Sequence, residues 1–302
     1  MNKLIVILGP TASGKTNLSI KLAKKYNGEV VSADSRQVYK GMDIGSGKVT
    51  KKEMQGIPHY LLDMANPRNR FTVAQYQKLA LKAIKIIQKK NKLPILVGGT
   101  GFYIQSIVDG IAIPEVKPNW ELRKTLEKLS VQELYNRLLD KDPVRALSID
   151  KNNPRRLIRA LEIVLTTSTA VPAIKQAKNQ AFSTLQIGVK KSPEELKKLI
   201  HKRLLKRLEK KSMINEVKKL RKSLSWKRLE EFGLEYRFVA QYLQNKITYQ
   251  EMIDKIQIES EHYAKRQMTW FKRDKQINWT KNYKEADKLA KIFLLDDRNK
   301  KN

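Results

Sequence analysis

The feature that most constrains this chain lies close to its N-terminus. Leu4-Ile5-Val6-Ile7-Leu8 is a short continuous apolar run, the pattern of a strand buried on both faces of a parallel sheet. It runs into Gly9-Pro10-Thr11-Ala12-Ser13-Gly14-Lys15-Thr16, which fits G-x-x-x-x-G-K-[ST], and an amphipathic helix through about Lys25 follows. A strand, a glycine-rich turn and a helix, in that order, make a phosphate loop. The glycines let successive backbone N–H groups turn into one concavity, and the helix N-terminus adds positive potential. Lys15 is expected to reach a terminal phosphate, and the Thr16 hydroxyl to ligate Mg²⁺.

The pattern continues with a strand at Glu29 to Ser32, a helix from Val73 to Lys90 and a strand at Pro94 to Val97, closed by Gly98-Gly99. Strands alternating with helices predict a parallel α/β sheet. The pattern changes after Pro114 and Pro118. Helices alone are expected over Glu121–Leu129, Val131–Leu139, Pro143–Ser148 and Pro154–Thr166, before another strand at Leu185 to Val189. Helices dominate from Pro193 to about Phe271, and the tail after Leu295 is polar. The expected architecture is a P-loop NTPase-like α/β core, residues 1–117 and 184–302, interrupted by an all-helical insertion at 118–183.

The phosphate loop does not say which phosphate compound binds. ATP-hydrolysing proteins usually end a strand in an acid that supports Mg²⁺. Here the strand at Pro94 ends in Val97-Gly98-Gly99, while the strand at Glu29 leads to Asp34. Charge narrows the partners. The 302 residues hold 62 Lys+Arg against 30 Asp+Glu, a net of +32. A lysine-rich surface alone would spread that charge evenly. Instead residues 101–150 carry 7 positive and 8 negative groups, between two strongly basic stretches. Charge placed in this way suits a polyanion such as nucleic acid, or an anionic membrane surface. There is no cysteine, so disulfides and thiolate metal sites are excluded. No apolar run approaches the ~20 residues that span a bilayer. Met1-Asn2-Lys3 leaves no room for a leader before the first strand, so a cytoplasmic protein with no membrane partner is expected. His59, His201 and His262 show no metal-ligand spacing and are expected to be structural or exposed.

Several further segments are more specific. Asp34-Ser35-Arg36-Gln37-Val38-Tyr39 with Met42-Asp43-Ile44-Gly45, and Gly98-Gly99-Thr100-Gly101-Phe102-Tyr103, follow the loop in order. Then come Asp142-Pro143 through Asn153-Pro154-Arg155-Arg156-Leu157-Ile158-Arg159-Ala160-Leu161-Glu162, and Tyr263-Ala264-Lys265-Arg266-Gln267-Met268-Thr269-Trp270-Phe271. Together these resemble the ordered signatures of the tRNA dimethylallyltransferase family over residues 5 to about 274. The chain departs from the family pattern at Gly45-Ser46-Gly47-Lys48-Val49, at Asn153, and at Glu235-Tyr236-Arg237 with Gly233 displaced by two.

The resemblance implies transfer of a dimethylallyl group from dimethylallyl diphosphate to N6 of the adenosine 3′ of the anticodon. Gly9 to Thr16 would hold the diphosphate, with Mg²⁺ at Thr16. Asp34, Thr100, Arg123 and Lys15 would be catalytic. Asp34, Ser35, Arg36, Gln37, Arg155, Arg156, Leu157, Ile158, Arg159, Tyr236, Arg237, Lys265, Arg266 and Gln267 would contact the tRNA anticodon arm. A monomer is expected. The chemistry is coherent, because an exocyclic amine is a poor nucleophile until a carboxylate accepts its proton. The alternatives are that Asp34 caps a turn, that Thr100 serves the glycine-rich turn around it, and that Arg123 sits on a solvated helix face. Two rivals stand beside this reading: a P-loop small-molecule kinase, and a non-catalytic RNA-binding protein.

Overall fold

The computed structural model describes residues 3–111, 113–114, 116–167, 170 and 182–296. Six strands, β1 (Lys3–Leu8), β2 (Gly28–Ala33), β3 (His59–Tyr60), β4 (Leu93–Gly98), β5 (Ser183–Val189) and β6 (Asn278–Thr280), form one sheet. Their order is β3-β2-β4-β1-β5-β6, and every pair is parallel. The phosphate-loop strand β1 is central, with Leu8 level with Gly98 of β4 and Gly188 of β5. This explains why Leu4 to Leu8 are all apolar: each has no more than 1% of its surface exposed.

Alternate residues of the strands feed two cores. On one face Ile5, Ile7, Val30, Ile95, Val97 and Ile187 pack under Leu18 and Leu22 of the helix Lys15–Lys25. On the other, Leu4, Val6, Leu8, Val31 and Leu96 pack against Tyr76, Ala80, Ala83, Ile84 and Ile87 of the helix Val73–Lys89. That helix starts with a capping box, Thr72 with Gln75. At about 25 cal/mol per Å² of apolar area, these two layers supply the main favourable term of the fold.

The stretch after Pro193 is divided by local backbone chemistry. The helices Pro193–Leu208, Ser212–Arg221, Trp226–Glu231, Leu234–Leu243 and Tyr249–Phe271 are separated by Lys210 and Lys211 at φ 51° and 54°, by the Ser225 cap, by Gly233 at φ 74° and by Asn245 at φ 56°. They build a third core around Met213, Val217, Leu229, Tyr236, Val239 and Met252. Five elements escape a reading of periodicity, among them the one-turn helix Lys51–Met54, which is capped by Thr50 and Glu53. Strands β3 and β6 have two and three residues, too few for a period to register. The helix Gly101–Val108 begins inside a glycine-rich turn, and Tyr283–Leu295 extends helix beyond Phe271.

The chain divides into two compact units, Met1–Val108 with Asn179–Asn302, and Asp109–Lys178. In the second, the helices Trp120–Leu126, Val131–Lys141, Pro143–Ser148 and Pro154–Thr167 surround a core of Leu126, Leu134, Leu138, Leu157, Ile158 and Leu161. Among the described residues no helix is long and apolar enough to cross a membrane.

Candidate active site

The phosphate loop leaves β1 and enters the helix Lys15–Lys25 through Gly14. Its φ of 91° lies in the left-handed region that a side chain disfavours. No side chain caps this helix, so its first N–H groups remain available to an anion. Ser13 Oγ is buried with no hydrogen-bond partner among the described residues. Lys15 Nζ bonds to the Pro10 carbonyl, folded back over the loop.

The loop opens into a cavity on the sheet face that carries Val30. Its walls include Thr11, Lys15 and Thr16 from the loop, Ser32 and Asp34 from the end of β2, and His59 from β3. Gln37, Ser46 and Val49 line it from the segment after β2, Gly98 and Gly99 from the end of β4, and Arg203, Tyr263 and Gln267 from the later helices. Ligands of parallel α/β sheets gather at the C-terminal ends of the strands, and this cavity lies there.

Two like charges are enclosed together. Burial, reinforced by Arg203, pushes the Lys15 ammonium down to about 7, with Asp34 opposing the shift. Burial and Arg207 bring the Arg203 guanidinium down to about 10. Two cations sharing an enclosed space are unfavourable until an anion joins them. The cavity is therefore built for a negatively charged ligand.

Asp34 sits at the far side. Its Oδ1 accepts from the backbone N–H of Arg36 at 2.8 Å and of Gln37 at 3.3 Å. Oδ2 has no hydrogen bond among the described residues. One oxygen thus caps the turn, while Asp34 also lines the cavity. Thr100 Oγ1 accepts from Ser35 N–H at 3.0 Å, which ties the Asp34 turn to the end of β4. Burial, reinforced by the Asp34 carboxylate, pushes the Tyr263 hydroxyl in the cavity wall up to about 12.

Ser46 and Val49 reach the cavity from the segment Met42–Val49, which Glu216 and Tyr236 hold from outside the cavity. Glu216 accepts from the N–H groups of Asp43, Ile44 and Gly45 at 2.9, 2.6 and 3.0 Å. The Tyr236 hydroxyl donates to Glu216 at 2.9 Å and accepts from Ser46 N–H at 3.1 Å. Gly45 is needed here, because a Cβ would stand 2.7 Å from the Tyr236 ring. The Gly47 carbonyl accepts from Gln37 and from Arg203 at 3.2 and 3.1 Å. Tyr236→Phe leaves Glu216 and Ser46 short of one partner in an enclosed place. It is expected to cost about 1–3 kcal/mol of stability. An unchanged urea midpoint would show that this hydrogen bond does not hold the segment.

The expected RNA-contacting residues separate. Arg155, Arg156, Arg237, Lys265 and Arg266 are exposed. Four others are turned inward. Leu157 and Ile158 pack in the helical unit's core, 0% and 8% exposed. Tyr236 is 2% exposed and committed to Glu216. Gln267 bridges the phosphate loop to the end of β4, accepting from Thr11 N–H at 2.8 Å and donating to the Gly99 carbonyl at 2.8 Å. For these four side chains, packing rather than RNA contact sets the orientation. Arg36 donates from Nε to the Phe232 carbonyl at 2.7 Å, which fixes it against the later helices. In the helical unit, Arg123 is held by Glu162 rather than lying on a solvated face.

Sequence patterns miss three members of the cavity. Arg203 is one of several basic residues on its helix, and only the fold singles it out. Tyr263 lies within a recognised motif without a role of its own. His59 was expected to be structural or exposed, yet it lines the cavity. Its Nδ1 lies 2.8 Å from the Ile57 carbonyl, and its buried Nε2 has no partner among the described residues. Burial holds its pKa below the usual histidine value.

An all-parallel sheet with a phosphate loop on its central strand, and a carboxylate at the end of β2 facing that loop, defines a P-loop-type group-transfer protein. The sequence also matches the IPP transferase profile over residues 37–274. It is 42% identical to a tRNA dimethylallyltransferase of Halothermothrix orenii, over 97% of this chain and 94% of that one. It is 40% identical to the enzyme of the same name from Clostridioides difficile, over 97% and 96%. Two solved structures share its fold. One is a tRNA isopentenylpyrophosphate transferase of Bacillus halodurans, with a TM-score of 0.71, 35% identity and coverage of 98% and 96%. The other is a eukaryotic dimethylallyltransferase acting on tRNA, with a TM-score of 0.76, 27% identity and coverage of 98% and 78%. This chain belongs to the IPP transferase family.

Proposed function

We propose that this protein transfers the dimethylallyl group of dimethylallyl diphosphate to N6 of adenosine 37 in tRNA, giving N6-(dimethylallyl)adenosine and diphosphate. The observation that carries the reading is the pairing, in one cavity, of an enclosed Lys15–Arg203 cation pair with the unengaged oxygen of Asp34. The first suits a leaving group that gains charge as the allylic C–O bond breaks. The second suits an amine that loses a proton as its N–C bond forms. Thr100 fixes the Asp34 turn between them.

Among the described residues no group of three or more His, Asp or Glu could hold a metal ion by itself. Thr16 lines the cavity, where its hydroxyl and the donor's own phosphate oxygens would hold a Mg²⁺ ion. When bound there, the ion would neutralise charge on the diphosphate. A target adenine must leave its stack to reach Asp34, so base extrusion accompanies binding. The helix Pro154–Thr167 supplies Arg155, Arg156 and Arg159 to the anticodon arm, through the planar forks that suit phosphate. The protein works as a cytoplasmic monomer.

The test is mass spectrometry of tRNA incubated with the protein, dimethylallyl diphosphate and Mg²⁺. A mass gain of one dimethylallyl group on tRNAs with an A-rich anticodon loop is expected. Tight tRNA binding without a mass change would leave an RNA-binding protein instead. Stronger thermal stabilisation by ATP than by dimethylallyl diphosphate would favour a kinase.

A further inference from the structure

Glu162, on the helix Pro154–Thr167, is 0% exposed. A buried carboxylate is costly unless its oxygens are fully engaged. Oε1 accepts from the Asn119 N–H at 2.7 Å and from Arg123 Nε at 2.8 Å. Oε2 accepts from Arg123 Nη2 at 2.7 Å and from Arg159 Nη1. Burial by itself would raise the pKa of Glu162, but these hydrogen bonds hold it below the usual carboxylate value. One carboxylate thus serves two guanidinium groups from different helices of the same unit.

The arrangement leaves the arginines usable. A guanidinium carries five N–H groups. Arg123 gives one edge, Nε and Nη2, to Glu162, and Arg159 gives Nη1 to Glu162 and Nη2 to the Val116 carbonyl at 3.1 Å. Their side chains keep 22% and 34% of their surface exposed. Arg123 also lies 5.0 Å from the centre of the Trp120 ring, which is itself 44% exposed. Arg155, four residues before Arg159, is exposed. Without a counter-charge, Arg123 and Arg159 would repel each other and splay. With Glu162 the cluster keeps a net positive charge in a fixed geometry.

We propose that Glu162 is a positioning residue for RNA: it holds Arg123 and Arg159 as a paired cation whose outward N–H groups meet the substrate. This rests on the tRNA reading above. A stapling role alone does not need a charge, since apolar replacements of buried ion pairs are often as stable. Glu162→Gln keeps the shape but turns amide N–H groups towards the guanidinium donors.

The experiment is steady-state transfer by the full-length protein, with wild type, Glu162→Gln and Glu162→Asp compared and thermal unfolding recorded for each. Glu162→Gln is expected to raise KM for tRNA about tenfold, with kcat less affected and KM for dimethylallyl diphosphate unchanged. Glu162→Asp, which keeps the charge, recovers part of the loss. Because Glu162 acts through its arginines, Glu162→Gln adds little to Arg123→Ala in a double-mutant cycle. The proposal is overturned by a folded Glu162→Gln protein with wild-type KM for tRNA, or by effects that simply add. If Glu162→Gln does not fold, Glu162→Asp decides: a raised KM for tRNA with wild-type unfolding supports the proposal, and an unchanged KM overturns it. A wild-type protein that transfers nothing sinks the function itself, whereas an active wild type matched by Glu162→Gln sinks only the role of Glu162.

Discussion

Asp34→Ala is expected to lower prenyl transfer by about 10²–10⁴-fold while leaving tRNA affinity largely intact. Asp34 has two duties. Oδ1 caps the turn at Arg36 and Gln37, and the residue also lines the cavity. Alanine removes both, so the turn could loosen as well. Asp34→Asn distinguishes the two effects. Its amide oxygen still caps the turn, but it is a far weaker base than a carboxylate. Both variants should therefore fall in kcat together, with single-turnover rates reporting chemistry and filter binding reporting tRNA affinity. Normal turnover in Asp34→Asn would remove Asp34 as proton acceptor.

Lys15→Met is expected to abolish productive donor binding and at the same time to raise the melting temperature of the ligand-free protein near neutral pH. Methionine fills similar space without a charge. In the ligand-free protein the Lys15 ammonium is held down to about 7 by burial and by Arg203. Its unfolded value is near 10.4. Between these values the unfolded chain carries a proton that the folded one lacks. Stability therefore rises with pH through this window, and the penalty of the buried charge is fully present below about 7. Methionine removes that penalty. The same reasoning gives a pH dependence for the wild type. A bound diphosphate restores the charge of Lys15, so binding takes up a proton above about pH 7 and weakens as pH rises further. Titration calorimetry with inorganic diphosphate in buffers of different ionisation enthalpy measures the net proton exchange, and subtracting the diphosphate's own titration leaves the uptake by the protein. A Lys15→Met protein that binds diphosphate as the wild type does would show that the lysine is not part of the anion site.

The two predictions differ in how far they could be anticipated. Asp34 and Lys15 sit in local motifs, each next to a strand whose apolar run marks it. A turn that must follow a buried strand leaves its signature over a few consecutive residues. The phosphate loop, the strands β1, β2 and β4, the helices Lys15–Lys25 and Val73–Lys89, and the helices between Trp120 and Thr167 were readable for that reason. Arg203, Tyr263 and His59 come from residues far apart in the chain, and nothing near them in sequence shows that they meet in one cavity. The strands β3 and β6 were missed because two or three residues pair only where a long strand already offers an edge.

The phosphate loop marks the same boundary within a single motif. Local sequence determined that it would form a turn suited to an anion, because glycine geometry, a helix N-terminus and a lysine are all supplied within Gly9–Thr16. Only the tertiary structure decided what surrounds that turn. It brought Arg203 beside Lys15 and aimed the end of β2 into the same cavity. It also spent Gln267 on bracing the loop, although its neighbours Lys265 and Arg266 stay exposed. The reason is physical. Backbone conformation is set by neighbours in the chain, whereas burial, pKa and the choice of hydrogen-bond partner are set by neighbours in space.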